Sequence, residues 1–239
     1  MKAIILAAGK GTRLRPLTYS IPKPLLPVSD RPVIDYVIQN LLKCKEIDEI
    51  YIAVSYMAES IEQYFEHVKY PVKITPVQVL GWETGGDLKT VIMEKEISGS
   101  VVVCYGDNIT NIDVSSLVST HKKHKSNATI ALFPVSQSDI PRFGIAQLDQ
   151  DKISKFVEKP KNSQINSNLA NAGYFVLDSS ALDSIPLTKF KIESLYFPLW
   201  AEAGKLFGQV QKIDLWIDIG TIESYKMANK LADGILAPK

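Results

Sequence analysis

Short apolar runs alternate along the chain with segments whose apolar residues recur every three or four positions. Apolar runs bounded by turn residues predict buried strands, and the three-to-four periodicity predicts amphipathic helices. Regular alternation of the two predicts an α/β fold with a mostly parallel, Rossmann-like mixed sheet flanked by helices. Strands are predicted at residues 2–7, 49–55, 72–78, 100–105 and 128–135, and helices from Pro32 onward and at residues 57–66, 88–96 and 115–125.

The pattern changes after residue 135, where hairpins become more frequent. Two short apolar segments at 144–148 and 153–158 flank Asp149-Gln150-Asp151, which predicts a hairpin. No Ser/Gly-rich linker or repeat separates the two parts, so we predict one domain over residues 1–239 with halves at 1–135 and 136–239. The later half is further predicted to hold strands at 172–177 and 206–211 and helices at 193–203 and 221–231.

The charge balance is nearly neutral but unevenly distributed. Lys and Arg number 27 against 26 Asp and Glu, a net charge of +1. This balance argues against a protein that wraps nucleic acid or lies on anionic lipid. Residues 1–29 nevertheless hold five basic side chains and no acid, a local charge of +5 against −4 for the rest. A basic segment on an otherwise acidic chain predicts an anion site.

The two cysteines and the apolar runs bear on the cellular compartment. Cys44 and Cys104 have no partner at metal-ligand spacing, so we expect both to be buried, reduced thiols. No apolar run approaches the roughly 18 residues of a membrane helix. The apolar run after Lys2 is also shorter than the roughly 7–15 residues of a signal peptide. We therefore expect a cytoplasmic protein without a membrane partner.

The most informative segment directly follows the first predicted strand. It reads Leu6-Ala7-Ala8-Gly9-Lys10-Gly11-Thr12-Arg13, and Pro22-Lys23-Pro24 comes shortly after it. Glycines in this position let backbone N–H groups approach phosphate, and Arg and Lys add direct charge. The spacing of a Walker loop is absent. A dinucleotide fingerprint also fails, because Leu14 replaces its third glycine and Ser55 stands where an acid is expected.

The full pattern of this segment, Gly-x-Gly-Thr-Arg-x-x-Pro-x-Thr and then Pro-Lys-Pro, resembles the signature of the sugar-1-phosphate nucleotidyltransferases. Four later segments resemble further motifs of that family, in the family's order. They are the apolar strand 101–105 followed by Gly106-Asp107-Asn108, then Phe156-Val157-Glu158-Lys159-Pro160, then Asn171-Ala172-Gly173-Tyr174, and finally Trp216-Ile217-Asp218-Ile219-Gly220-Thr221.

The resemblance implies transfer of a nucleotidyl group from a nucleoside triphosphate to a sugar-1-phosphate, with release of pyrophosphate. The attacking phosphate oxygen is already anionic, so the reaction requires no general base. This agrees with the lack of a Ser-His-Asp or Cys-His arrangement. His67, His121 and His124 lie in polar helical segments, and we expect them at the surface without a role. Assembly into a homo-oligomer is left open.

The family resemblance also implies roles for individual residues. Residues 1–135 would bind mainly the nucleotide and residues 136–239 mainly the sugar phosphate. Lys10 and Arg15 are weaker phosphate candidates. The implied catalytic residues are Arg13 and Lys23; the nucleotide contacts are Leu6, Ala8, Gly9, Gly11, Thr12, Arg13, Gln78, Glu83, Thr84 and Gly85; and the sugar-phosphate contacts are Gly144, Glu158, Lys159 and Asn171.

Two aspartates are the predicted ligands of Mg²⁺, the one cofactor implied. Asp107 and Asp218 each lie at the end of an apolar strand, and such ends share one crevice in an open α/β sheet. A lone aspartate at a strand end caps a helix more often than it binds a metal ion. Asp113 is the better cap for the helix that follows it, and Thr221 with Ser224 can cap the last helix. We therefore predict that both aspartates bind metal.

The segment expected to read the base departs from the family pattern. Gln78 aligns with the family's base-reading glutamine, but Glu83 replaces the glycine that commonly follows five positions later. A glutamine amide suits uracil or thymine, whereas a glutamate can accept from guanine. We favour UTP or dTTP with glucose-1-phosphate, and GTP with mannose-1-phosphate is the alternative. The left-handed β-helix that follows this domain in many relatives is not expected.

Two unlike functions compete with this hypothesis. A glycosyltransferase that consumes nucleotide-sugars shares the nucleotide half but typically binds metal through Asp-x-Asp, whereas this strand ends in Gly106-Asp107-Asn108. A non-catalytic homologue that binds nucleotide-sugar is the other alternative. Such a chain is expected to lose at least one of Arg13, Lys23, Asp107 and Asp218, and all four are present.

Overall fold

The structure is a computed structural model that describes residues 1–124, 126–161 and 165–235, except for the side chains from 232 onward. The strands are β1 (Lys2–Leu6), β2 (Pro27–Val28), β3 (Arg31–Pro32), β4 (Glu49–Val54), β5 (Lys73–Gln78), β6 (Ser100–Tyr105), β7 (Asn108–Thr110), β8 (Ala128–Pro134), β9 (Gly144–Asp149), β10 (Lys152–Glu158), β11 (Leu169–Asp178), β12 (Leu206–Val210) and β13 (Trp216–Asp218). The α-helices are α1 (Val33–Leu42), α2 (Ala58–His67), α3 (Glu83–Glu94), α4 (Val114–Lys123), α5 (Ile192–Glu202) and α6 (Ile222–Ile235).

Nine strands form one mixed sheet in the order β5-β4-β1-β6-β11-β8-β12-β10-β9. The pairings β4–β5, β1–β4 and β1–β6 are parallel, whereas β11 runs antiparallel to β6 and to β8. The predicted hairpin is confirmed, because β9 and β10 pair antiparallel. Two small ribbons, β2–β3 and β7–β13, lie outside the main sheet. The parallel run is thus built from β5, β4, β1 and β6, whereas β8, also predicted in the early half, lies beyond β11 and pairs parallel with β12.

Successive strand residues point to opposite sides of the sheet, so apolar residues in buried strands give it two apolar faces. Helices cover both faces. On β1, Ile4 contributes to a core that includes Phe197 of α5, whereas Ile5 contributes to a second core that includes Leu117 of α4. Helix α3 joins the first of these cores, and α1 and α2 join the second. A smaller cluster around Leu14 and Ile219 packs the loop after β1 against α6. This last cluster fixes the loop beside the sheet edge.

Helix α3 begins five residues before its predicted start at residue 88. Glu-Thr-Gly-Gly has poor helix propensity, which is why periodicity alone misses this turn. Tertiary contacts stabilise it. The Trp82 N–H donates to the buried Asp87 carboxylate at 2.7 Å, and the Gly85 N–H donates to the Phe190 carbonyl at 3.0 Å. The predicted nucleotide contacts Glu83, Thr84 and Gly85 therefore lie on the first turn of a helix.

The surface prediction for the histidines is wrong for His121, which is buried. Its Nδ1 lies 3.0 Å from the Thr129 hydroxyl, and burial lowers the pKa of the imidazole. The reason is visible in α4, where Val114, Leu117 and Val118 precede His121 at helical spacing and turn it inward. His124 is also partly buried and stacks on the Phe207 ring, with centroids 4.2 Å apart.

The cysteine prediction is confirmed, because Cys44 and Cys104 are buried, free thiols. Burial raises the pKa of the Cys104 thiol well above its usual range, which keeps it protonated and inert. Within the described ranges, no helix combines the length and the apolar character needed to cross a bilayer.

Replacement of Gly85 by alanine is expected to destabilise the fold. A Cβ atom at this position would lie 2.0 Å from Cε2 of the Phe190 ring, so the ring and α3 must separate. Overpacking of this kind costs about 1–3 kcal/mol. Gly9→Ala is the matched control, because a Cβ there meets nothing within 4 Å. Urea unfolding of both variants checks the prediction, and equal unfolding free energies would contradict it.

Candidate active site

A cleft of about 740 Å³ lies at the carboxyl ends of β1, β4 and β6. Ligands of open α/β sheets bind at this edge. The cleft brings together most of the predicted site residues, namely Leu6, Ala8, Gly9, Arg13, Lys23, Glu83, Thr84, Asp107, Gly144, Glu158, Lys159, Asn171 and Asp218. Four predicted nucleotide contacts do not line it, namely Gly11, Thr12, Gln78 and Gly85.

The loop after β1 is shaped by Gly11. This residue has φ +60°, which glycine adopts without strain, and its carbonyl accepts from the buried Thr18 hydroxyl at 2.8 Å. A Cβ atom here would meet Thr18 Cγ2 at 2.9 Å. Gly11 therefore folds the loop, while Gly9 and Lys10 face the cleft. Arg15 instead lies over the Tyr19 ring, 4.9 Å from its centroid.

Lys23 lines the cleft and stands between two prolines. Pro22 precedes a short 3₁₀ turn, Lys23–Leu25, that includes Pro24. The Lys23 ammonium forms an ion pair with the Asp107 carboxylate, and the two side chains are 14% and 28% exposed. This partial exposure leaves both charges accessible from the cleft while their backbones are fixed.

Asp218 is brought beside Asp107 by the β7–β13 ribbon, in which Asp218 pairs with Asn108. The Ile219 N–H donates to the Asp107 carbonyl at 3.1 Å, which ties the two aspartate segments together. The Asp218 Oδ1 accepts from the Gly220 N–H at 2.6 Å. A Cβ atom built on Gly220 would lie 3.1 Å from an Arg13 guanidinium nitrogen, so the arginine reaches the same corner.

The two helix caps fall where the sequence predicts them. Asp113 accepts from the Ser116 N–H at 2.9 Å at the start of α4. The Thr221 hydroxyl accepts from the Ser224 N–H at 3.2 Å before α6. Neither Asp107 nor Asp218 is the N-cap of these helices, and both carboxylates line the cleft.

The donor set at this corner fits Mg²⁺. Two carboxylates from tied segments offer hard oxygen ligands, and Mg²⁺ commonly takes one or two carboxylates, with water and substrate phosphate as its other ligands. Among the described residues, no group of three or more His, Cys, Asp or Glu side chains is placed to hold a metal.

The opposite wall of the cleft is formed by β9, β10 and a bulge in β11. The β11–β8 register shifts between Asn171 and Phe175, and Gly173 in the bulge has φ +80°. The bulge places the buried Asn171 side chain at the cleft, with its Oδ1 accepting from the Gly173 N–H at 2.9 Å. Burial raises the pKa of the Glu158 carboxyl, and the nearby Glu193 adds to the rise.

Comparison with known proteins agrees with this geometry. The sequence profile of the family described as "Nucleotidyl transferase" matches residues 2–233. The chain belongs to this nucleotidyltransferase family. It is 32% identical over 95% of its length to a UTP–glucose-1-phosphate uridylyltransferase of Synechocystis. It is 34% identical over 94% of its length to mannose-1-phosphate guanylyltransferase 1 of Arabidopsis thaliana. The resemblance inferred from the five sequence motifs is thereby confirmed.

A solved structure from Bacillus anthracis, provisionally assigned as a glucose-1-phosphate thymidylyltransferase, superimposes with a TM-score of 0.82 at 28% identity. The alignment covers 100% of this chain and 98% of that one. The predicted fold class is thereby confirmed. The chain spans 62% and 63% of the two curated relatives' lengths.

Gln78 and Glu83, the two residues predicted to contact the base, lie in different surroundings. Gln78 is exposed at the end of β5, and its amide donates to the Glu62 carboxylate at 3.0 Å. Glu83 lines the cleft with φ +62°, a conformation that favours glycine. Its carboxylate lies 4.0 Å from the Lys189 ammonium and 3.8 Å from the Lys191 ammonium. Contact of either residue with a base stays a prediction.

Several cleft residues are not among the predicted site residues. Lys189, Lys191 and Glu193 come from the segment at the start of α5, and Tyr105 closes β6 just before the Gly-Asp-Asn motif. Glu193 accepts hydrogen bonds from residues 88 and 109 positions away in the chain. No local pattern reports such contacts. The signal that could have found Tyr105 was its position within the motif, at the end of the strand that leads to Asp107.

Proposed function

We propose that this chain transfers a nucleotidyl group from a nucleoside triphosphate to a sugar-1-phosphate, forming a nucleotide-sugar and pyrophosphate. The observation that carries the proposal is the ion pair between Lys23 and Asp107. Arg13 and Asp218 lie at the same corner of the cleft. The Lys23 and Arg13 cations can bind the phosphates of two substrates, and the Asp107 and Asp218 carboxylates can bind a metal ion. The names of the curated relatives and the family membership support the same reaction.

The reaction joins an anionic oxygen of the sugar phosphate to the α-phosphorus of the triphosphate. The bond from that phosphorus to the bridging oxygen breaks, and pyrophosphate leaves with the electron pair. Because both substrates are polyanions, the chain's task is positioning and charge neutralisation. Arg13 grips the triphosphate through its planar fork, and Lys23 neutralises charge at the transferred phosphate. No step requires a histidine.

Asp107 and Asp218 would hold Mg²⁺ in this proposal. The ion supplies charge neutralisation and orientation for the triphosphate oxygens when bound. With the ion bound, the Asp107 carboxylate would either keep its ion pair with Lys23 or release the Lys23 ammonium to bind a substrate phosphate. Asp218 stays oriented because the Gly220 N–H donates to its Oδ1 at 2.6 Å.

The sugar phosphate is placed along the wall formed by β9, β10 and β11. Glu158 accepts from vicinal sugar hydroxyls, and the Asn171 amide donates to a hydroxyl oxygen. Gly144 keeps room for this arrangement, because a Cβ atom on it would lie 2.6 Å from the Glu158 Oε2. Lys159 is 60% exposed at the cleft, where its ammonium can reach the sugar's phosphate.

Two substrate pairs compete. The uridylyltransferase relative and the Bacillus anthracis structure support UTP or dTTP with glucose-1-phosphate. The guanylyltransferase relative supports GTP with mannose-1-phosphate. The placement of Glu83 at the cleft favours this second pair, because a carboxylate accepts from the two donors on guanine. The buried free thiols fit a reducing compartment, so we place the reaction in the cytoplasm.

Pyrophosphate release, measured over the four ribonucleoside triphosphates and dTTP against common sugar-1-phosphates with Mg²⁺, tests the proposal. We expect one base and one sugar to dominate the grid. Turnover with GTP and mannose-1-phosphate would assign Glu83 to guanine, and turnover with UTP or dTTP and glucose-1-phosphate would favour the first pair. Binding of nucleotide-sugar without turnover anywhere in the grid would replace the proposal with the non-catalytic alternative.

A further inference from the structure

The loop between β5 and α3 reaches the cleft in a conformation that its own residues do not favour. Leu80, Gly81 and Glu83 line the cleft. Gly81 has φ +70° and Glu83 has φ +62°, so left-handed residues stand on both sides of Trp82. Glycine adopts this conformation freely, whereas a glutamate keeps it only where the surrounding structure holds it. The position of the Glu83 carboxylate therefore depends on contacts that fix the Trp82 backbone.

A buried carboxylate of α3 supplies one of these contacts. Asp87 is 4% exposed, and its Oδ1 accepts from the Trp82 N–H at 2.7 Å. Burial raises the pKa of the Asp87 carboxyl, because the charged form loses its hydration. Such a carboxylate is costly unless hydrogen bonds compensate it. Asp87 therefore binds the loop backbone at the residue that directly precedes Glu83, and this bond stabilises the loop and the carboxylate together.

The Trp82 carbonyl is bound separately, by the segment that precedes α5. It accepts from the Phe190 N–H at 3.2 Å, and the Gly85 N–H donates in turn to the Phe190 carbonyl at 3.0 Å. A Cβ atom built on Gly86 would lie 2.7 Å from the Trp82 Cβ, so Trp82 packs directly against the first turn of α3. Both backbone hydrogen-bonding groups of Trp82 are thus occupied, and the partner of its N–H is the Asp87 side chain.

We propose that Asp87 is a positioning residue of the nucleotide subsite: its hydrogen bond to the Trp82 N–H holds Glu83 in the left-handed conformation and thereby keeps the Glu83 carboxylate in the cleft. The inference rests on the proposed function, because it takes the Glu83 side of the cleft as the nucleotide side. Asp87 acts through the loop backbone and requires no contact of its own with the nucleotide.

Replacement of Asp87 by alanine and by asparagine separates the hydrogen bond from the charge. Alanine removes the acceptor, whereas asparagine keeps an oxygen that can accept from the Trp82 N–H. We expect Asp87→Ala to raise the KM for the nucleoside triphosphate about tenfold, as for loss of one charge-assisted hydrogen bond, with the KM for the sugar-1-phosphate unchanged. Asp87→Asn should stay within about threefold of the wild type. Equal rises in both variants would overturn the proposal, as would wild-type KM values in the alanine variant.

Lys89→Met is the matched control for the loss of a buried charge from the same helix. Lys89 is 7% exposed, its ammonium donates to the Leu182 carbonyl at 2.7 Å, and it does not line the cleft. Its replacement should lower the free energy of unfolding and leave the KM for the nucleoside triphosphate unchanged. A KM rise equal to that of Asp87→Ala would identify a general loss of structure and contradict the positioning role.

A double-mutant cycle tests whether Asp87 acts through Glu83. Glu83→Ala removes the carboxylate that Asp87 is proposed to hold in the cleft. If the proposal holds, Asp87→Ala adds little to the rise in the KM for the nucleoside triphosphate that Glu83→Ala already causes. Rises that multiply across the two sites would overturn it.

Amide hydrogen exchange covers the case in which Asp87→Ala does not unfold cooperatively. In the wild type without ligand, the Trp82 N–H should be protected from exchange, because its bond to Asp87 forms before any substrate binds. Exchange at the rate of an open loop contradicts the proposal. A wild-type chain that neither binds nor turns over any nucleoside triphosphate contradicts the proposed function and this inference together. Normal wild-type turnover with an unprotected Trp82 N–H contradicts this inference alone.

Discussion

Asp107→Asn is expected to remove nearly all turnover while the protein stays folded and binds nucleotide. The substitution keeps the size of the side chain but removes one of the two proposed metal ligands. Loss of one preorganised electrostatic contact to a transition state costs about 10²–10³ in rate, and loss of a metal ligand is expected to reach the upper end of that range. Pyrophosphate release at saturating Mg²⁺ measures the effect.

Nucleotide binding without metal should survive this change, because it frees the Lys23 ammonium from its ion pair. Calorimetric titration of the triphosphate with a chelator present tests that part. Asp113→Asn is the matched control, since Asp113 is the N-cap of α4 and asparagine caps a helix equally well. Its turnover and its unfolding midpoint should match those of the wild type. Full turnover of Asp107→Asn would remove Asp107 from the metal site.

The parts of the site that lie next to regular elements could be predicted from the sequence. The Gly9 loop follows a short buried strand, and Asp107 follows another. Strand prediction alone therefore places both residues at one edge of the sheet, where the cleft lies. The β9–β10 hairpin follows from its alternating pattern and polar turn. Local periodicity sufficed for these residues, which directly follow or form regular strands.

Other parts depend on tertiary contacts that no local pattern contains. The first turn of α3 forms against Phe190, and Glu193 meets Tyr105 across 88 residues of sequence. The placement of Gln78 away from the cleft depends on Glu62 of a neighbouring helix. His121 is a different kind of error, because its inward position follows from the helical spacing of its apolar neighbours. The apolar spacing that predicts a buried His121 is present in the sequence, but the polar composition of the helix led to the prediction of a surface position.

Lys23→Ala is expected to lower kcat about 10²–10³-fold, since it removes the cation that we propose to neutralise charge at the transferred phosphate. The fold should survive the change. The backbone at this position is held by flanking prolines and by a 3₁₀ turn, and the ammonium contacts a carboxylate rather than the apolar core. Asp107 is 28% exposed, so solvent can take over part of the lost ion pair. Single-turnover kinetics, which isolate the chemical step from binding, are the appropriate measurement.

Lys122→Ala provides the matched control for the loss of an ion pair. Lys122 pairs with Glu46 on the exposed side of α4, where neither residue lines the cleft. Its removal should leave turnover unchanged and shift the unfolding free energy by no more than about 1 kcal/mol. If Lys23→Ala abolishes cooperative unfolding while Lys122→Ala does not, Lys23 is structural. If both variants fold and turn over alike, the neutralising role of Lys23 is excluded, and Arg13 becomes the next cation to test at the same phosphate.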